Sequence, residues 1–165
     1  MNSYLKRSLI FLTTFLLSTN YNHVKAETID KEMANAYAEF IEALQLNISV
    51  PKQGKLCIFG NDEISEAISL RNNNIEKIDD NLKNINQCNF VYVAHNKQKA
   101  FKFFGKKFID NKVFTIANYE GFASSEYGMI EIRFGRRNFE IILNKKIIKN
   151  NNIKINSLVS NLIIN

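Results

Sequence analysis

Short apolar runs alternate with segments of helical periodicity through the middle of the chain, and this alternation limits the fold more than any other feature. Residues 55–60, 89–94 and 113–118 each have the length and apolar composition of a buried strand. Residues 62–71 follow the first run and residues 96–108 follow the second, and both place apolar side chains at helical spacing. Strands and helices that alternate in this way are typical of a parallel α/β sheet.

Further elements are predicted before and within this pattern. Apolar side chains recur at helical spacing over 30–46, which predicts an amphipathic helix capped by Thr28 or Asp30. Residues 75–78 are predicted to form a weak strand, and residues 80–86 a short helix or turn.

The pattern changes toward the C-terminus. Residues 129–133 and 138–143 are rich in β-forming side chains and flank a turn with Gly135, which predicts an antiparallel hairpin. The apolar segment 153–164 predicts a closing helix. The fold class is therefore α/β, a single small domain with a mainly parallel sheet, flanking helices and a C-terminal antiparallel hairpin.

The N-terminal residues 1–26 have the pattern of a secretory signal peptide. Two basic residues precede an uncharged and largely apolar stretch over 8–18, and Val24 and Ala26 occupy the −3 and −1 positions of a cleavage site. An uncleaved anchor is the alternative. Cleavage leaves an exported domain over 27–165 and removes three basic residues and no acidic ones, so the formal net charge falls from +6 to +3. This small charge argues against a nucleic-acid partner.

The exported part contains two cysteines, Cys57 and Cys88. An even number of cysteines in an exported domain predicts a disulfide. Cys57 lies near the start of one predicted strand and Cys88 directly before another, so their sulfurs can meet if those strands are neighbours in the sheet. Two reduced core thiols are the alternative. A metal site needs more ligands than two cysteines and the single remaining histidine, His95, supply.

No motif in the sequence is typical of an active site. The turn at 60–63 lacks the glycines of a dinucleotide or phosphate loop, and we interpret its two acids as helix-capping residues. His95 directly follows a predicted strand, where we interpret it as a structural or exposed residue rather than a catalytic one. Glu131 and Arg133 share one side of the hairpin by period-two alternation, and we interpret that side as a charged outer face. We therefore expect no enzymatic activity and no cofactor.

The predicted helix over 96–108 places one large aromatic side chain among cationic ones. On a helical wheel Phe103 lies opposite the apolar core stripe. The lysines on the same side are Lys99, Lys102, Lys106 and Lys107. Such a face is a candidate binding surface for an acidic partner or a membrane headgroup layer, and a solvated basic face is the alternative.

Several motifs follow one another in the second half of the chain. They are a strand and turn over 114–123, a Gly-Met-Ile entry into the hairpin at 128–130, and a Phe-Glu-Ile return strand at 139–141. In order and spacing these motifs resemble the YfiR family, and the likeness extends over about residues 29–162. Where the family has a second glycine before Gly128, this chain has Tyr127.

The resemblance implies a small periplasmic protein that binds the periplasmic part of an inner-membrane diguanylate cyclase and holds it inactive. Cyclic di-GMP synthesis and biofilm formation are then limited, and an outer-membrane lipoprotein or the redox state controls release. The same domain also occurs fused to sensor kinases, so a membrane sensor protein is a second class of partner that it implies. The family further implies a homodimer, and the edge of the hairpin is a candidate interface.

Four residues of the matching motifs are candidates for a binding groove. They are Gly121, Phe122, Gly128 and Met129, for which turn geometry and core packing are alternative explanations. A periplasmic sensor module that binds a small ligand between Gly60 and Gly121 is the alternative function.

Overall fold

The computed structural model of the chain describes residues 29–135, 138–160 and 163–164, so the predicted signal peptide lies outside the described residues. The helices in this part are α1 (Lys31–Asn47), α2 (Glu63–Arg71), α3 (Gln98–Asp110), α4 (Lys145–Asn150) and α5 (Ser157–Ser160). The strands are β1 (Ile48–Ser49), β2 (Lys55–Phe59), β3 (Glu76–Ile78), β4 (Cys88–Val93), β5 (Phe114–Ala117), β6 (Ile130–Phe134), β7 (Phe139–Leu143), β8 (Lys154–Ile155) and β9 (Ile163–Ile164). Single 3-10 turns at Ile85–Gln87 and His95–Lys97 precede β4 and α3.

Seven of the described strands form one sheet in the order β3-β2-β4-β5-β6-β7-β9. The first five strands in this order are parallel, and β7 returns antiparallel to β6. The predicted α/β domain with a mainly parallel sheet and a C-terminal hairpin is thereby confirmed. Strand β9 pairs with β7 at Ile141 and Ile142, so the hairpin has no free strand edge at those residues.

The sheet separates two hydrophobic cores. Alternate residues of β2 point in opposite directions, so that Leu56 and Ile58 join the core beneath α1 and α2. Cys57 and Phe59 join the other core, which α3 covers. The sheet is therefore buried on both faces, which explains why its central strands are continuously apolar.

The first two helices begin at acidic caps. The Met33 N–H donates to Asp30 Oδ1 at 2.8 Å, which selects Asp30 as the cap of α1. At α2 the Ser65 N–H donates to Asp62 Oδ1 at 2.8 Å, and the Asp62 N–H donates to Ser65 Oγ at 2.8 Å. This reciprocal pair is a capping box, and it confirms the interpretation of Asp62 as a capping residue.

The predicted closing helix over 153–164 is wrong. The described residues there form the short strands β8 and β9 with the single helical turn α5 between them. β8 pairs with β1 and β9 pairs with β7, so partners distant in sequence decide the conformation of these isoleucine-rich pieces. Helix α4, which the sequence analysis did not predict, is capped by Asn144, whose Oδ1 accepts from the Ile147 N–H at 3.2 Å.

Candidate functional site

The loops that follow β2 and β4 meet at the carboxyl edge of the sheet. Helix α2 packs on one face of the sheet and α3 on the other, so the chain turns in opposite directions after these neighbouring strands. In open parallel sheets, ligands bind in the crevice that such a divergence creates. A small-molecule site in this fold is therefore expected between these two loops.

In this protein the chain's own side chains fill that crevice. Gly60 has a φ of +106°, and a β-carbon on it would lie 2.5 Å from Lys97 Cγ and would overlap the Asn96 side chain. The Asn61 N–H donates to Asn96 Oδ1 at 3.0 Å, and Lys97 Nζ pairs with Asp80 at 2.5 Å. The groove expected near Gly60 is thus occupied by Asn96 and Lys97.

A polar network beside the crevice joins the loops after β2, β4 and β5. The buried hydroxyl of Tyr92 lies 3.0 Å from both Asp62 Oδ2 and Asn118 Oδ1. The His95 N–H donates to the same Asp62 oxygen at 2.8 Å, so the backbone of His95 participates and its side chain stays exposed. Burial first, and then the charge and hydrogen bond of Asp62, hold the pKa of Tyr92 well above its usual value. The hydroxyl therefore remains a proton donor, and the network fixes the three loops.

The 118–129 loop, which connects β5 to β6, is held from beneath by a buried carboxylate. Glu131 has no exposed surface, and its Oε2 accepts from the Ala123 N–H at 3.3 Å. Its other oxygen forms an ion pair with the half-exposed Arg133. Burial, followed by the charge of Glu131, raises the pKa of Tyr119 in the same loop. The interpretation of Glu131 as part of a charged outer face is therefore wrong, because the loop folds over it.

Of the four candidate groove residues, the structure places only Gly121 at the surface. Gly121 has a φ of +82°, and no heavy atom lies within 4 Å of where its β-carbon would be. Phe122 and Met129 are each 1% exposed and belong to the two cores. Gly128 is buried against the Phe122 carbonyl, which would overlap a β-carbon. The structure thus gives packing roles to Phe122, Gly128 and Met129.

The outer side of α3 has the composition that the sequence predicts. Phe103 is 82% exposed, whereas Phe101 and Phe108 on the opposite side are buried. The four lysines around Phe103 are exposed. Lys106 Nζ pairs with Asp110 at 2.8 Å. The structure therefore brings the α3 candidates together on one surface.

The loop and the helix are packed into one unit, in part through Gly105, which the sequence analysis did not select. Tyr127 lies directly on Gly105 in the middle of α3. The rings of Phe122 and Phe101 are in contact, with centroids 4.9 Å apart. A glycine inside a predicted helix often marks a close approach, so Gly105 was an available signal for this contact.

The disulfide between Cys57 and Cys88 is present, with Cα atoms 5.8 Å apart, so the predicted disulfide is confirmed. A register shift between β2 and the start of β4 turns Cys88 toward the same core as Cys57. Gly54 permits this arrangement, since a β-carbon there would lie 2.8 Å from the Asn89 backbone nitrogen. The disulfide lies at the opposite edge of the sheet from the 118–129 loop.

Two further features are absent from the described residues. None of their helices has both the length and the apolar character needed to cross a membrane. Within the same ranges, no three His, Cys, Asp or Glu side chains are grouped as metal ligands would be.

Comparison with known proteins identifies a family. A family model described as YfiR/HmsC-like matches residues 31–162. A search of curated proteins finds no match. Proteins of the matched family are periplasmic, and the match supports a role in regulating a diguanylate cyclase in general.

Proposed function

Because the chain belongs to the YfiR/HmsC-like family, we propose that it binds the periplasmic part of an inner-membrane diguanylate cyclase and so limits cyclic di-GMP synthesis and biofilm formation. The observation that carries the proposal is the extent of the family match, which includes six of the seven strands of the main sheet and the 118–129 loop. The proposed action is repression by contact, without a chemical step or a cofactor.

The proposed contact surface is the exposed rim of the 118–129 loop, formed by Glu120, Gly121 and Ser124. The backbone beneath this rim is fixed by the Ala123 hydrogen bond to Glu131 and by the Met129 N–H, which donates to Thr115 Oγ1 at 3.3 Å. A loop that is already ordered loses little conformational freedom on binding, which favours recognition.

The shape of this rim favours a protein over a small molecule. Glu120 is exposed, with 90% of its side chain accessible, and the space above Gly121 is open. Small ligands bind in concave sites that enclose most of their surface, whereas protein partners dock on flat or convex patches. The rim therefore supports binding of the cyclase better than binding of a small ligand.

Deletion and complementation test the proposal in cells. Deleting the gene is expected to raise cyclic di-GMP and biofilm, and the wild-type gene is expected to restore both. Ser124→Arg places a bulky charge on the rim and is expected to fail in complementation. Asn73→Arg introduces the same side chain in the exposed turn between α2 and β3 and is expected to complement.

A pull-down from detergent-solubilised membranes tests the contact directly. Wild-type protein and Asn73→Arg are expected to recover the cyclase, and Ser124→Arg is expected to lose it. Unchanged cyclic di-GMP after deletion, with no cyclase recovered under oxidising or reducing conditions, would overturn the proposal. A ligand-dependent rise in Tm would then favour the sensor module.

The proposal extends to assembly and release. We expect a homodimer, which light scattering of the purified protein tests, and release of the cyclase by an outer-membrane lipoprotein, which cross-linking in cells tests.

A further inference from the structure

We propose that the outer face of α3 binds the anionic phospholipid headgroups of a membrane, with Phe103 inserted between them. This surface, called here the basic face, consists of Lys99, Lys102, Phe103, Lys106 and Lys107.

The basic face runs along one side of a helix that is anchored in the core. Lys99, Phe103 and Lys106 are spaced by four and three residues, so they form one row along the helix, with Lys102 and Lys107 on either side. The opposite side of α3 is anchored by Phe101 and Phe108, which are buried in the core beneath the sheet. A helix of 13 residues is about 20 Å long, so the row can lie flat on a bilayer surface.

The charges of this face suit a layer of phosphates. Within the described part of the chain, neither Lys99 nor Lys102 has an ion-pair partner, and Asp110 is the only acid on α3. Lysine carries a strongly hydrated point charge on a flexible stem, whereas the directional ion pairs of protein interfaces more often use arginine. Helices that bind anionic membranes combine basic side chains with large apolar ones that insert at the headgroup boundary, and the basic face of α3 presents both kinds.

The uneven distribution of charge over the helices predicts which side of the domain faces an anionic membrane. The helices on one side of the sheet, α1, α2 and α4, together contain five acids and five bases, whereas α3 contains four bases and one acid. Since α1, α2 and α4 cover one face of the sheet and α3 covers the other, an anionic surface attracts α3 more strongly than the opposite side. The domain is thus polarised for binding with α3 toward the lipid.

Membrane binding does not depend on the proposed cyclase contact, but the two are compatible. The 118–129 loop packs against α3 through Tyr127 and Gly105, so the loop that carries the rim is anchored to the helix that carries the basic face. A domain held on the bilayer by α3 would keep this rim close to the membrane, where the periplasmic part of an inner-membrane protein begins.

Vesicle co-sedimentation tests the proposal with protein exported to and purified from the periplasm, its first residue established by intact mass. We expect binding to vesicles of phosphatidylglycerol and phosphatidylcholine in equal parts, weak binding to phosphatidylcholine alone, and weaker binding as salt increases. Lys99→Glu with Lys102→Glu is expected to lower the partition coefficient by at least about thirtyfold, because about 1 kcal/mol is lost per basic residue and the introduced carboxylates are repelled.

Two matched controls make the test specific to the basic face. Lys77→Glu with Lys83→Glu changes the net charge equally at exposed positions away from α3 and is expected to retain most of the binding. Phe103→Ala is expected to weaken binding about tenfold, whereas Leu70→Ala, at a 78% exposed position on α2, leaves it unchanged.

Three results would overturn the proposal. The first is equal binding to neutral and anionic vesicles, and the second is an equal loss of binding in the two lysine double variants. The third is a Lys99→Glu, Lys102→Glu variant that binds vesicles as the wild type does but no longer recovers the cyclase from detergent extracts. The last result would assign the basic face to a protein partner. Circular dichroism melting is expected to give the wild-type Tm for all four variants, because the substituted side chains are exposed.

Discussion

Tyr127 lies so close to Gly105 that a β-carbon on Gly105 would fall 2.6 Å from Tyr127 Cβ and 2.7 Å from its Cδ2. Glycine in a helix interior costs about 1 kcal/mol relative to alanine, so α3 accommodates the loop at the expense of helix propensity. Helix α3 and the 118–129 loop therefore depend on each other for their positions.

Substitution at both positions measures this dependence. Gly105→Ala is expected to lower the free energy of unfolding by about 1–3 kcal/mol, because the added β-carbon would clash with Tyr127 Cβ. Rotating the tyrosine ring does not move that atom. In a Tyr127→Gly background the same substitution is expected to be stabilising by about 0.5–1 kcal/mol, since only the gain in helix propensity remains. Urea unfolding of the four proteins gives the coupling, and additive effects would contradict the contact.

Reduction of the disulfide is expected to destabilise the domain. Cys57 and Cys88 are 31 residues apart, and closing a loop of that length stabilises the folded state by about 3–4 kcal/mol in the chain-entropy treatment. Urea unfolding with and without a thiol reductant measures the difference.

A cysteine-free protein is the control for this experiment. Cys57→Ala with Cys88→Ala is expected to unfold at the same urea concentration in both conditions. If the reductant also shifts this variant, the effect on the wild type does not come from the disulfide.

The central strands could be predicted from the sequence because both faces of the sheet are covered. A strand such as β4 that is buried on both sides is apolar throughout, and its boundaries are visible as changes in composition. The cap of α2 at Asp62 and the exposed position of Phe103 are also local features, set by residues within one or two helical turns. Local sequence was sufficient for these predictions.

The C-terminal segment could not be predicted in this way. Strands β8 and β9 have two residues each, and their pairing with β1 and β7 joins residues far apart in the chain. Similarly, alternation places Glu131 and Arg133 on one side of β6, but it does not show that the 118–129 loop covers Glu131. The candidate surfaces were thus partly predictable, whereas the buried support beneath the loop required the tertiary structure.

Removal of the buried carboxylate is expected to loosen the 118–129 loop. Glu131→Ala leaves the Ala123 N–H without its acceptor, which predicts a loss of about 1–3 kcal/mol and faster hydrogen exchange at that amide. Arg133 is half-exposed and can be rehydrated, so the loss stays below that of a fully buried ion pair.

Glu120→Ala is the matched control, because Glu120 lies 3.9 Å from the same arginine but is exposed. It is expected to change stability by less than about 0.5 kcal/mol. Unchanged exchange at Ala123 in Glu131→Ala would mean that the carboxylate does not hold the loop.

The network around Tyr92 predicts a loss of stability in alkali. The pKa of Tyr92 is raised in the folded state, whereas an unfolded tyrosine titrates near pH 10, about its ordinary value. The hydroxyl therefore contributes its full stabilisation below about pH 10, and this contribution is lost as the pH rises from there toward the folded-state pKa, by about 1.4 kcal/mol per pH unit.

Tyr92→Phe is expected to lose about 1–3 kcal/mol at pH 7, since Asp62 and Asn118 lose their shared hydroxyl. Above pH 10 its unfolding free energy should fall less steeply than that of the wild type, with the remaining slope due in part to Tyr119, whose pKa is also raised. Urea unfolding at half-unit steps from pH 7 to about pH 11 measures both effects, and identical slopes for the two proteins would show that the Tyr92 hydroxyl is not the group that titrates.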